Sequence, residues 1–168
     1  RRKSEYEQIE KKISLSMPEL LGLYSQGSEP SRIKIFESRE ELTEMLIRLH
    51  TEETESPTLV FGSVENHLNV MKWAGYNRLV KERVKRGVAV KMLLLRSLPS
   101  EMMKNRAEEL REVRFLKDIQ PFSTAFQIFS KKILFWQPVS PLAILIEDEY
   151  LATMLKSIFN KLWDESGD

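Results

Sequence analysis

The chain has 168 residues, 42% of them hydrophobic and 30% charged, which suits one globular domain with a real core plus a short appendage, and excludes a disordered or collagen-like polymer. Its 26 basic and 25 acidic residues leave a formal net charge of +1, so no global field draws it to nucleic acid and any such role needs a local patch. With no cysteine, disulfides, thiolate nucleophiles and zinc–thiolate sites are excluded, and His50 and His67 are the only imidazoles.

The opening "RRKSEYEQIEKK" lacks the apolar core of a signal peptide, and nowhere does the chain approach the ~18 consecutive apolar residues of a membrane span. A cytoplasmic protein without membrane contact is the default expectation. Because the chain begins with Arg1, it is expected to be the later part of a longer protein. Residues 4–14 favour helix, with Tyr6, Ile9 and Ile13 forming a narrow apolar stripe that seeks a partner helix. Ser16-Met17-Pro18-Glu19 has the form of a capping box and starts a second short helix, "PELLGLY", whose stripe includes Leu20 and Leu23. The polar "SQGSEPS" then separates this helical arm, residues 1–27, from a body over 28–168.

In the body, "RIKIFE" (32–37) alternates as a strand. Ser38 caps a helix over 38–52 with Leu42, Met45, Leu46 and Leu49 on one face. "TLVFGS" (58–63) and "VAVKMLLL" (88–95) are apolar runs suited to strands buried on both faces, separated by a long helix over about 65–86 that stops at Gly87. Pro99 opens a helix to about Leu110, and "EVRFLK" (112–117) is a strand. "STAFQIFSKKILFWQP" (123–138) reads as a hairpin with Lys131 and Lys132 at its turn, and Phe126, Ile128, Ile133 and Phe135 able to fill one core face. "LAILIE" (142–147) is the last strand before a C-terminal helix. This order predicts an α/β mixed sheet flanked by helices, antiparallel towards its end.

Several strings in this order resemble the C-terminal effector domain of TrmB-type transcription regulators: "MPELLGLYSQ" leading into "RIKIFES", "LVKERVKRGVAVKMLLL", "EVRFLKD", "FQIFSKKILFWQ" and "LAILIEDEYLATMLKSIFNKLWDES". The resemblance covers essentially the whole chain. It implies a phospholipase D-like fold, an N-terminal helical dimerisation arm (Tyr6, Ile9, Ile13, Leu20 and Leu23), a homodimer, and a small-molecule effector such as a sugar or another polar metabolite. DNA would be contacted through a winged-helix domain preceding the chain.

Phospholipase D enzymes use His-x-Lys-x-x-x-x-Asp, with an imidazole to attack phosphorus and a lysine to clamp its oxygens. Neither histidine has that spacing, since His50 is followed by Glu52 and Pro57, and His67 by Asn69 and Ala74. With the hairpin turn at Ser130 as the aspartate position, the histidine and lysine positions fall on Ser123 and Ala125. The resemblance therefore implies the fold without the catalysis, no metal and no cofactor. Both histidines read most simply as exposed or locally hydrogen-bonded, and Trp73 and Tyr76 as core.

Effector contacts are expected beyond the carboxyl ends of the parallel strands, at Gly62, Ser63 and Glu65, and at Arg96 and Ser97, with Trp136 and Gln137 walling the same cleft. Arg96 reads more simply as a helix cap or a surface ion pair. The basic run from Lys72 to Lys91 could meet DNA phosphates or an anion, or be a solvated face balanced by nearby glutamates. The leading expectation is a non-catalytic, effector-binding, dimerising domain of a DNA-binding regulator. The alternatives are a phosphodiesterase or nuclease of the same fold and a ligand-free protein-interaction domain.

Overall fold

The computed structural model describes residues 32–52, 57–103, 106–137 and 143–166. The helical arm, its boundary with the body, and the stripe Tyr6, Ile9, Ile13, Leu20 and Leu23 lie outside the described residues.

The elements follow in the order β1 (Ile33–Phe36), α1 (Arg39–Glu52), β2 (Thr58–Gly62), α2 (Val64–Lys85), β3 (Val90–Leu94), α3 (Leu98–Met102), a 3-10 turn at Ala107–Glu109, β4 (Arg111–Phe115), β5 (Ala125–Phe129), β6 (Lys132–Trp136), β7 (Ala143–Glu147) and α4 (Glu149–Glu165). The strands form a seven-stranded sheet in the order β1-β7-β6-β5-β2-β3-β4. Only β2, β3 and β4 pair in parallel; the other pairings are antiparallel, so the parallel third and the hairpin end of the chain share one sheet.

Side-chain alternation divides the core between the two faces of the sheet. On one, Phe129, Leu134, Trp136, Ala143 and Leu145 pack with Leu42, Leu46 and Leu49 of α1 and with Val70, Met71 and Leu79 of α2. On the other, Leu59, Leu93, Ile128 and Ile133 pack against Ala152, Phe159 and Trp163 of α4. Phe126 and Phe135, half-buried, join this second cluster, as the alternation in the hairpin predicts. The β5–β6 pair thus has apolar side chains on both faces, and its turn is tight because Ser130 adopts φ 51, which the right-handed twist of a two-residue hairpin requires.

Local signals account for most boundaries. Ser38 Oγ accepts from the Glu41 amide at 3.1 Å, starting α1, and Asp148 accepts from the Leu151 amide at 2.8 Å, starting α4. Two elements depart from the periodicity. The unbroken helix expected over 65–86 is broken at Lys72, whose backbone lies at φ 55, ψ 173. At 3.6 residues per turn, His67, Val70 and Met71 would lie roughly half a turn away from Tyr76, Leu79 and Arg83. All six are buried, so the break re-phases the helix and brings both sets onto the sheet.

The helix expected from Pro99 to Leu110 is also shorter. Ser97 and Ser100 close a reciprocal cap on α3, which ends at Met102. Further on, the buried Arg83 guanidinium takes the carbonyls of Val88 and Glu109 at 2.6 Å each and of Leu110 at 3.4 Å. Carbonyls held by a guanidinium are not available to propagate a helix, and Leu110 turns at φ 50 directly into β4.

Candidate functional site

Strand direction sets which ends can cooperate. β2 and β3 run in parallel with Gly62 opposite Leu94, and β6 is antiparallel to β5, which is antiparallel to β2. The carboxyl ends of β2, β3 and β6 and the start of β5 therefore reach one rim. That rim carries Gly62, Ser63, Arg96, Ser97, Trp136 and Gln137, with Ser123 and Ala125 at the β5 start, while Ser130 lies at the opposite end of the hairpin.

The rim residues have definite local roles. Gly62 adopts φ +127, and a Cβ there would come within 2.7 Å of the Thr124 carbonyl and 2.8 Å of Ala125 Cα. Only glycine suits that backbone and that approach. We expect Gly62→Ala to cost roughly 2–4 kcal/mol, read as a lowered urea midpoint at unchanged slope; a variant as stable as the parent would mean that β5 can retreat. Ser63 is buried before α2 and makes no side-chain cap, and Glu65 is exposed in the first turn. Arg96 lies over the Phe115 ring, 4.2 Å from its centroid, and forms an ion pair with Glu101. Ser97 caps α3. Trp136 is fully buried, so its indole walls the core and not an open cleft, and Gln137 follows it half-buried.

Beneath this rim lies an arrangement that periodicity did not reveal. His50, at the end of α1, and His67, in α2, are neither exposed nor locally bonded; both are buried and converge on the Gln127 side chain in the middle of β5. His50 Nε2 lies 2.9 Å from Gln127 Oε1, Gln127 Nε2 lies 2.5 Å from His67 Nε2, and Thr58 Oγ1 lies 3.5 Å from His50 Nδ1. An amide has one accepting and one donating end, so the tautomers follow. His50 donates from Nε2 to the amide oxygen and accepts at Nδ1 from the Thr58 hydroxyl. His67 accepts at Nε2, and its proton sits on Nδ1, directed at the Ser63 carbonyl without closing a well-formed hydrogen bond.

Aromatic edges complete the enclosure, Phe129 against His50 and Trp136 against His67 with centroids 4.8 and 4.2 Å apart. A cavity of about 20 Å³ lies alongside, lined by both imidazoles, Tyr76 and Arg83 among others. Desolvation pushes the pKa of each histidine down to about 3, reinforced for His50 by the Arg83 charge and for His67 by the neighbouring imidazole. At neutral pH both rings are uncharged. The sequence signal was Gln127, a long amide inside the otherwise apolar "AFQIF" of a central strand.

The basic run does not form one surface. Arg83 is internal, Arg78 pairs with Glu44 at 2.7 Å, and Lys91 lies over the Trp163 ring on the α4 side. Tyr76 is buried and accepts from Arg111 at 2.8 Å, whereas Trp73 stays half-exposed with its ring edge-on to Tyr76. Among the described residues no cluster of three histidine or carboxylate side chains is placed to hold a metal ion, and no helix is long and apolar enough to cross a membrane.

The sheet order, with a buried hairpin between parallel and antiparallel sections, places the chain among known architectures. The fold is phospholipase D-like. The archaeal chromatin protein TrmBL2, whose structure shows a novel mode of DNA binding, superposes with TM-score 0.55 at 19% identity, over 98% of this chain and 65% of that one. NucT from Helicobacter pylori superposes with TM-score 0.54 at 12% identity over 80% of this chain and 95% of its own. Nuc from Salmonella typhimurium, a phospholipase D family member, does so with TM-score 0.53 at 15% identity over 83% and 98%. The present chain thus spans less than two thirds of TrmBL2 and most of the two smaller proteins. No family model and no curated protein matches it.

Proposed function

We propose that this chain is the non-catalytic, phospholipase D-like body of a TrmB-like transcription regulator, which dimerises, senses a small polar metabolite such as a sugar, and passes that signal to a DNA-binding domain elsewhere in its protein. One observation carries the non-catalytic reading. The two imidazoles are buried, neutral and committed to Gln127, while the rim positions that the phospholipase D motif would use are Ser123 and Ala125. A nucleophile must reach phosphorus, and a ring inside the core does not. The likeness to TrmBL2, which takes in 98% of this chain against 80% and 83% for NucT and Nuc, supports the regulator reading.

The test is hydrolysis of bis(p-nitrophenyl) phosphate across pH 5–9, with and without added divalent cations. We expect release no faster than in buffer, for the parent and for Ser123→Ala alike. Turnover that tracks the protein through purification and falls in the variant would overturn this reading in favour of a phosphodiesterase.

A further inference from the structure

At the end of the sheet away from the rim, on the α4 side, the β3 and β4 starts, the 3-10 turn and the last turn of α4 enclose a cleft of about 620 Å³. That volume falls within the range of small-molecule sites. Its walls are unequal. Pro57, Ala89 and Leu110 supply apolar surface, while Lys91 and Arg114 supply positive charge.

Register explains how the charges meet. Lys91 stands beside Glu112, and Arg114 beside Leu93, on adjacent parallel strands, so all of them project to the α4 face. Trp163 descends from α4 onto the cations, with the Arg114 guanidinium 4.6 Å and the Lys91 ammonium 5.3 Å from its ring. Phe159 stacks against the indole at 5.7 Å, which holds the ring in place. Arg114 donates one bond, to the Trp163 carbonyl at 2.7 Å, leaving the rest of its five-donor fork. Among the described residues no carboxylate lies within ion-pair distance of Lys91 or Arg114. Glu112 also lines the cleft and offsets one of the two charges, so the local excess is about one positive charge.

We propose that this cleft binds a small organic anion with an apolar body, its carboxylate or phosphate held by Lys91 and Arg114 and its body laid against Leu110, Ala89 and Pro57. A half-buried guanidinium and ammonium converging on one concave, mostly apolar space recognise that combination; a neutral sugar would leave both charges unanswered. The effector reading supplies a use for such a ligand, and this assignment rests on that reading only for the use and not for the binding.

The probes are benzoate and phenyl phosphate, followed by amide chemical shifts on ¹⁵N-labelled chain, with benzyl alcohol as the uncharged control. We expect saturable shifts at the amides of residues 89–91 and 110–114 with both anions and none with the alcohol. Lys91→Gln and Arg114→Gln should each weaken binding about tenfold, and Arg114→Lys should recover part of the loss. Shifts confined to Gly62, Ser63 and Arg96 would overturn this cleft while leaving an effector at the rim. Binding unchanged in Lys91→Gln, a variant that keeps the Arg114 bond to α4, or no saturable shift at all, would overturn it outright.

Discussion

Replacing Gln127 with leucine is expected to destabilise the fold by about 2–5 kcal/mol, because it takes the hydrogen-bond partner from two buried imidazole nitrogens at once. Leucine fills much of the same volume, so the loss is mainly polar and not a cavity effect. Each orphaned group costs about 1–3 kcal/mol, partly offset by the more apolar side chain. Equilibrium urea unfolding of the parent and the variant at pH 7.5 measures it. A variant as stable as the parent would show that the histidines find other partners and that Gln127 is not what holds them. Gln127→Glu makes a sharper comparison. A carboxylate accepts at both ends, so His67 would have to present a proton at Nε2, and the variant should be least damaged where His67 can be charged, at acid pH.

Acidification should destabilise the chain well above the pH at which its carboxylates titrate. Both histidines are held near a pKa of about 3 in the folded chain, against an ordinary value of 6.5. Between those values the unfolded chain binds protons that the folded chain refuses, so stability rises with pH across the window and is level above it. Two such groups lose about 4 kcal/mol between pH 7 and pH 5, a large part of the 5–15 kcal/mol that a domain commonly has. Thermal melts over pH 4.5–8 test this. The melting temperature should fall steeply below about pH 6.5, and a single replacement, His67→Phe, should shallow that fall by about half. A flat profile from pH 7.5 down to 5 would mean that the rings take up protons in place.

Much of the architecture was legible because burial on both faces leaves continuous apolar runs. "TLVFG" and "VKMLL" occupy β2 and β3, and the alternating hairpin residues divide between the two core clusters. Three features were not legible, each for a physical reason. A helix broken at Lys72 looks continuous in charge and length, and only the change of phase between His67-Val70-Met71 and Tyr76-Leu79-Arg83 betrays it. A lone histidine on a helix looks like surface until its partner is known, and Gln127 is distant in sequence from both. The anionic-ligand cleft combines residues from β3, β4 and the end of α4, which no local window contains. At the rim, by contrast, Gly62, Arg96 and Trp136 do reach one end of the sheet as strand direction implies, but with Arg96 engaged by Glu101 and Trp136 enclosed.

The sheet order also sets the sequence of assembly. β5 and β6 close across a two-residue turn, and β2, β3 and β4 join through crossovers over 63–89 and 95–110, so these contacts are more local than the pairing of β1 with β7 and cost less loop entropy. β1 pairs with β7 alone among the described strands, Ile33 opposite Ile146, more than a hundred residues later. On the ribosome β1 emerges before the other described strands of the body and stays without its neighbour until β7, just ahead of the final helix, is made. Among the described strands of the body, the first to be made is thus the last to find its neighbour, and the body resembles a loop whose clasp is an outermost strand.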